Sequence, residues 1–151
     1  RYHVMKEMFA CLHKLEVLSA DWPKKVRHYE KVLFGGGRKQ YEALHQYRMP
    51  DKIAEQLLSY FIYVYFAGAV YDGMPYSKVK LAVISTMLIE DMVCVKAAEK
   101  GQLSFEAIAD AAHSYAREVE HSDLNLQRLS IMFRHQKCFH IGRLCGALLE
   151  W

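Results

Sequence analysis

Glu120 and His121 stand side by side near the end of a helical stretch, and a carboxylate next to an imidazole is a pair able to move a proton. His113, Tyr115 and Arg117 precede them, with His113 and Arg117 four residues apart and therefore on one helix face. The same residues also fit a plainer part as a helix C-terminus, where the helix dipole favours His121. Upstream, Glu90-Asp91 interrupts an apolar run. A carboxylate inside such a run must be paired or protonated, because burial disfavours its charge. It therefore serves either as the partner of a Lys or Arg or as the receptor for a cationic group. Tyr60, Tyr63, Tyr65 and Tyr71 can offer ring faces to a lysine ammonium, or fill an interior with a polar tip seeking a partner. The candidate catalytic residues are Glu120 and His121. The candidate substrate-binding residues are Tyr60, Glu90, Tyr115 and Arg117.

Other chemistry finds less support. His135, Cys138 and His140, with Cys145 nearby, are soft ligands, but their spacing matches no common structural zinc pattern, and no metal site is expected. Gly35, Gly36 and Gly37 precede Arg38-Lys39, yet the phosphate-cradling motif needs a different spacing and a strand before it. There is no serine or cysteine nucleophile motif, no dinucleotide-binding glycine fingerprint and no His-Glu-x-x-His.

The elements that must hold these residues are helical. Met5, Met8, Phe9, Leu12, Leu15 and Leu18 recur at three- and four-residue spacing, which predicts a first helix over Tyr2–Leu18. Asp21 is placed to cap a second, with Pro23 in its first turn and the triple glycine ending it. A short third helix is expected over Lys39–Tyr47. A long fourth is opened by Pro50 and runs to Tyr71, where Asp72-Gly73-Met74-Pro75 stops it. The fifth, Tyr76–Lys100, is apolar nearly all round between Leu81 and Val95, so it is expected at the centre of the core, with Gly101 ending it. Ser104 caps a sixth over Phe105–Glu120, with Ile108, Ala111, Ala112, Tyr115 and Val119 as its buried stripe. Ser122 or Asp123 starts a seventh, and a last helix covers Phe139–Leu149. No segment alternates as a strand does. The expectation is an all-α single domain, a bundle of seven or eight helices.

Composition agrees: 151 residues, 52% hydrophobic and 25% charged, suit one globular domain with a real core. The net charge of +3 is uneven. Residues 1–48 hold ten Lys/Arg against five Asp/Glu, and residues 49–151 ten against twelve. A mild basic excess at one end can favour an acidic partner or simply be a solvated face, and no nucleic-acid partner is expected. The longest uncharged run, Gln56–Tyr71, is shorter than the roughly 20 residues of a membrane span. Four cysteines without a Cys-x-x-Cys pair read as reduced thiols of a cytoplasmic protein.

Several pieces in order resemble a known family. They are Leu57-Leu58-Ser59-Tyr60-Phe61-Ile62-Tyr63-Val64-Tyr65-Phe66, then Met74-Pro75, then the apolar helix ending Ala97-Ala98-Glu99-Lys100-Gly101, then Ser114-Tyr115-Ala116-Arg117-Glu118-Val119-Glu120-His121-Ser122. This order is similar to the C-terminal half of bacterial flagellin lysine-N-methylases, most clearly from Leu57 to Leu126. Those proteins carry a segment like Ser-Phe-Ser-Arg-x-x-Glu-His-Asn. Here Ser114, Arg117, Glu120 and His121 keep it, and Tyr115 and Ser122 are close variants. Leu58-Ser59 departs from the family's Glu-Asn, and the closely spaced cysteines near the family's N-terminus have no counterpart. Either the chain begins after that cluster, as the C-terminal part of a longer protein, or it is a divergent relative without it.

The resemblance implies methyl transfer from S-adenosylmethionine to a lysine of flagellin. Flagellin and the preceding region of the same protein would be the partners. It also implies that the fragment alone is inactive, because the family's cysteine cluster is missing. A different class of function stands beside it: a non-enzymatic helical module of a bacterial regulator, for ligand binding or dimerisation.

Overall fold

Twelve successive residues of one helix, Ile84 to Val95, are buried without a break. They belong to α6 (Pro75–Lys100), the 26-residue element around which the others assemble. A helix buried through three turns must be covered on every side. The computed structural model describes residues 1–149, side chains of Val70, Asp72, Cys138 and Leu149 excepted. In it α6 is packed by α1 (Tyr2–Leu12), α2 (Trp22–Phe34), α3 (Gly37–Leu44), α4 (Asp51–Phe66), α7 (Phe105–Tyr115) and α8 (Asp123–His135). The single-turn α5 (Ala69–Asp72) and a terminal α9 (Ile141–Leu149) complete the helices, and there is no strand among the described residues. The all-α fold is as expected, with eight helices of two turns or more and α5 besides.

Local chemistry explains most boundaries. Gly101 ends α6 in the left-handed conformation, φ 71°, which costs glycine little. Ser104 accepts a hydrogen bond from the Ala107 N–H at 3.2 Å and starts α7, and Ser122 accepts from the Asn125 N–H at 3.1 Å and starts α8. Asp21 occupies the N-cap position of α2 but makes no capping bond. Its carboxylate turns instead to Lys25 at 2.8 Å.

Five expected helices differ in extent: α3 opens within the triple glycine at Gly37 and gives way to a 3-10 turn at His45–Tyr47, α9 begins only at Ile141, and three others stop early. α1 stops at Leu12, because the chain beyond it tightens into three-residue turns, Lys14 N–H to Cys11 O and Leu15 N–H to Leu12 O. The N–H groups of Glu16 and Leu18 are then taken by side chains from the far end of the chain. α4 ends at Phe66, where Gly68 N–H bonds back to Tyr65 O at 3.1 Å, and α5 follows as a separate turn. α7 widens after Tyr115 into a π-helical segment, Ala116–Glu120, closed by His121 N–H to Ala116 O at 3.0 Å.

Candidate functional site

The apolar stripe of α4 is Phe61 and Tyr65, both buried, and this orientation turns Tyr60 and Tyr63 outward. The Phe61 and Tyr65 rings stack with centroids 5.5 Å apart, and Phe61 meets the Tyr115 ring of α7 edge-on at 6.2 Å. Behind them the Tyr115 hydroxyl shares a 2.8 Å hydrogen bond with Ser85 Oγ of α6. Burial pushes the Tyr115 and Tyr65 phenols well above their ordinary value. The Tyr65 hydroxyl is buried beside the same serine, without a well-formed hydrogen bond to any described residue.

At the rim of this aromatic layer, Tyr60 donates from its hydroxyl to Glu120 Oε1 at 2.7 Å. That bond to a carboxylate raises the Tyr60 phenol's pKa and fixes Glu120 at the surface. His121 is exposed beside it and makes no side-chain hydrogen bond to a described residue. Arg117 leaves on another side, 3.8 Å from Asp21 and 3.9 Å from Glu118. Of the residues singled out in the sequence, then, Tyr60, Tyr115 and Glu120 gather around one seam, His121 adjoins it, and Arg117 faces α2.

Glu90 lies elsewhere, in a buried polar knot. Arg1 donates to Glu90 Oε2 at 3.0 Å and to Asp91 Oδ1 at 3.2 Å. Asp91, fully buried, also accepts from the Tyr41 hydroxyl at 3.0 Å and lies 3.3 Å from His45 Nε2. Removal from water pushes the Glu90 carboxyl up to about 7, against the opposing pull of Arg1.

The Ser114–Ser122 segment does something the sequence reading missed. Glu118 is 1% exposed, and its Oε2 accepts the Leu18 N–H at 3.0 Å. Asn125, fully buried, accepts from the Glu16 N–H at 2.6 Å and donates to Glu16 O at 2.9 Å and Glu118 O at 2.7 Å. The segment thus ties down the connection between α1 and α2. A signal was present, since Glu118 falls seven residues after Ala111 and so on the same buried stripe.

A family model for the FliB lysine N-methylase C-terminal domain matches residues 1–147. The chain belongs to this family. Searches of curated proteins and of solved structures found no match. The FliB C-terminal domain is accordingly that of a protein related to flagellin lysine N-methylases. Its Tyr60–Glu120 seam and its buried Glu118–Asn125 tie both fall in the segments on which the resemblance rests. No helix among its described residues is long and apolar enough to cross a membrane. Likewise no three His, Cys, Asp or Glu side chains among them are placed to hold a metal ion. The side chain of Cys138 lies outside the described residues.

Lysine N-methylases in general use S-adenosylmethionine, whose sulfonium and ammonium need acceptors or carboxylates nearby. Two cavities of the FliB C-terminal domain are large enough to bear on that need. One, of about 420 Å³, is bordered by Lys80, Arg134, Lys137 and Arg143, with no carboxylate among the described residues. The other, of about 340 Å³, has Asp21 and Glu99 in its wall, but Lys25 and His28 already hold them. Neither set of donors fits a molecule carrying those two cationic groups, so no step through it is assigned to these residues.

Proposed function

We propose that this domain is the flagellin-facing part of a lysine N-methylase, and that it holds the lysine while S-adenosylmethionine is bound elsewhere in the parent protein. The observation that carries the reading is the exposed Tyr60–Glu120 pair beside an unusually aromatic surface. Tyr63 is 84% exposed and Tyr71 93%, with Phe66 and Tyr76 also open to solvent. Apolar side chains gathered at a surface mark a place where another protein lands. A carboxylate fixed by a tyrosine among them suits a lysine ammonium, through charge and through the ring face.

S-adenosylmethionine, bound elsewhere in the parent protein, would supply the methyl group, and this domain's part would be to present the lysine nitrogen. The nitrogen must lose a proton before or during the transfer. In this reading Glu120 receives the ammonium and His121, next to it in sequence, passes the proton to water. Tyr115 backs the aromatic layer, and Arg117 orients the π-helical segment against Asp21. Glu90, bound by Arg1 inside the protein, is left out of this lysine site.

Binding of purified flagellin to the chain, followed by fluorescence anisotropy, tests the reading. Tyr63→Ser removes only exposed surface, so its fold stays intact, and it is expected to weaken binding, as is Glu120→Gln. Wild-type affinity in both variants would remove the lysine-holding surface from this face.

A further inference from the structure

A second surface, which meets the aromatic one at Tyr76, has a different chemistry. Where the end of α8, the 3-10 turn Lys137–Phe139 and the start of α9 meet α6, they leave the cavity of about 420 Å³ introduced above. This is within the roughly 300–1,000 Å³ range of small-molecule sites. Lys80, Arg134, His135, Lys137, His140 and Arg143 border it, and no carboxylate among the described residues does.

The charges in this wall are largely uncompensated. Lys80 is only 8% exposed, and its ammonium donates to Phe133 O at 3.3 Å and sits 4.6 Å from the centre of the Tyr76 ring. A carbonyl and a ring face solvate an ammonium without neutralising it. Arg143 is held by Glu7 at 3.0 Å, but Arg134 leans on the Met74 sulfur, and neither Lys80, Arg134 nor Lys137 pairs with a described carboxylate. Gathering three cations, one of them buried, is unfavourable unless an anion completes the set.

We infer that this cavity binds a compact oxyanion of more than one charge, the phosphate or carboxylate groups of a small molecule. The planar fork of Arg134 and the point charges of Lys80 and Lys137 are the donor types that such oxygens select. The charge of the wall also separates this ligand from S-adenosylmethionine, whose sulfonium it would repel.

The test is calorimetric titration of the 151-residue chain with inorganic pyrophosphate and, separately, with citrate, at constant ionic strength. Saturable one-to-one binding of either is expected, and which of the two binds tells phosphate from carboxylate. Lys137→Ala and Arg134→Gln should each weaken it roughly tenfold, the value of one charge-assisted hydrogen bond. Lys39→Ala, an equal loss of charge on α3, should leave it unchanged. Lys80→Gln keeps a donor for Phe133 O but removes the buried charge, so it should weaken binding without lowering the melting temperature. The inference is overturned if neither anion saturates, if the three pocket variants bind as wild type does, or if Lys39→Ala weakens binding as much as they do.

Discussion

The backbone N–H of Leu18 donates to the buried Glu118 carboxylate at 3.0 Å, joining residues 100 apart in sequence. Asn125 holds Glu16 by both its N–H and its carbonyl in the same place. The α1–α2 connection is thereby fixed by side chains of the π-helical segment and α8, and the surface position of Glu120 depends on the same segment. Glu118→Ala strands the Leu18 N–H, which should cost about 1–3 kcal/mol, whereas Glu118→Gln keeps an acceptor and should cost less. Urea unfolding of the two variants checks the order, and equal losses would mean that the carboxylate acts through its charge alone.

Stability should also depend on pH through Glu90. Burial raises its carboxyl from 4.5 to about 7 in the folded protein. The unfolded state therefore releases this proton first as pH rises. The stability that the protonated group contributes is complete below about 4.5, falls as pH climbs to about 7, and is gone above it. The full effect is on the order of 3 kcal/mol at most. Glu90→Gln keeps an acceptor for Arg1 and cannot ionise. Its melting temperature should change less than that of wild type between about pH 5 and pH 8, with the difference curve as the readout. Parallel curves would place the titration elsewhere.

The centre of α6 is the part of the chain least able to lose volume. Met87 and Leu88 are 1% and 2% exposed and lie in the unbroken buried run. Met87→Ala or Leu88→Ala should each cost roughly 2–5 kcal/mol, as cavity-forming changes do. Tyr63→Ser, on the outward side of α4, should leave stability within error. Thermal melts of the three proteins side by side test the contrast.

What could be read in the sequence follows the range of the interactions involved. The burial of α6 was legible because its apolar residues leave no polar face. The starts at Ser104 and Ser122 and the stop at Gly101 were legible because caps act within one helical turn. The Glu90-Asp91 pair announced a need for partners, but not their identity. Arg1 and Tyr41 stand 89 and 50 residues from the carboxylates they bind, and no periodicity reports that. α1 was overextended for the same reason, since the N–H groups that would have continued it are taken by Glu118 and Asn125. Tyr60 and Glu120 were both named from the sequence, and their separation of 60 residues closes only when α4 packs against α6 and α7.

If Glu120 holds the lysine and Tyr60 holds Glu120, removing either should lower methyl transfer to flagellin, and by different routes. Glu120→Gln loses the charge that receives the ammonium, so the Michaelis constant for flagellin should rise with turnover less affected. This is what happens when an interaction made equally in the ground and transition states is lost. Tyr60→Phe leaves the carboxylate in place but frees it, giving a milder effect in the same direction. His121→Ala, if the imidazole passes on the proton, should instead lower turnover and shift its pH profile. The 151-residue chain alone should transfer nothing, because stabilising the transition state needs both reactants held together and neither the cavity of about 420 Å³ nor that of about 340 Å³ suits S-adenosylmethionine. The measurement is transfer of labelled methyl from S-adenosylmethionine to flagellin by parent protein, variants and chain in parallel, with melting temperatures recorded for each. Losses that track melting temperature would make Glu120 and Tyr60 parts of the fold only, and turnover by the chain alone would place the methyl donor in this domain.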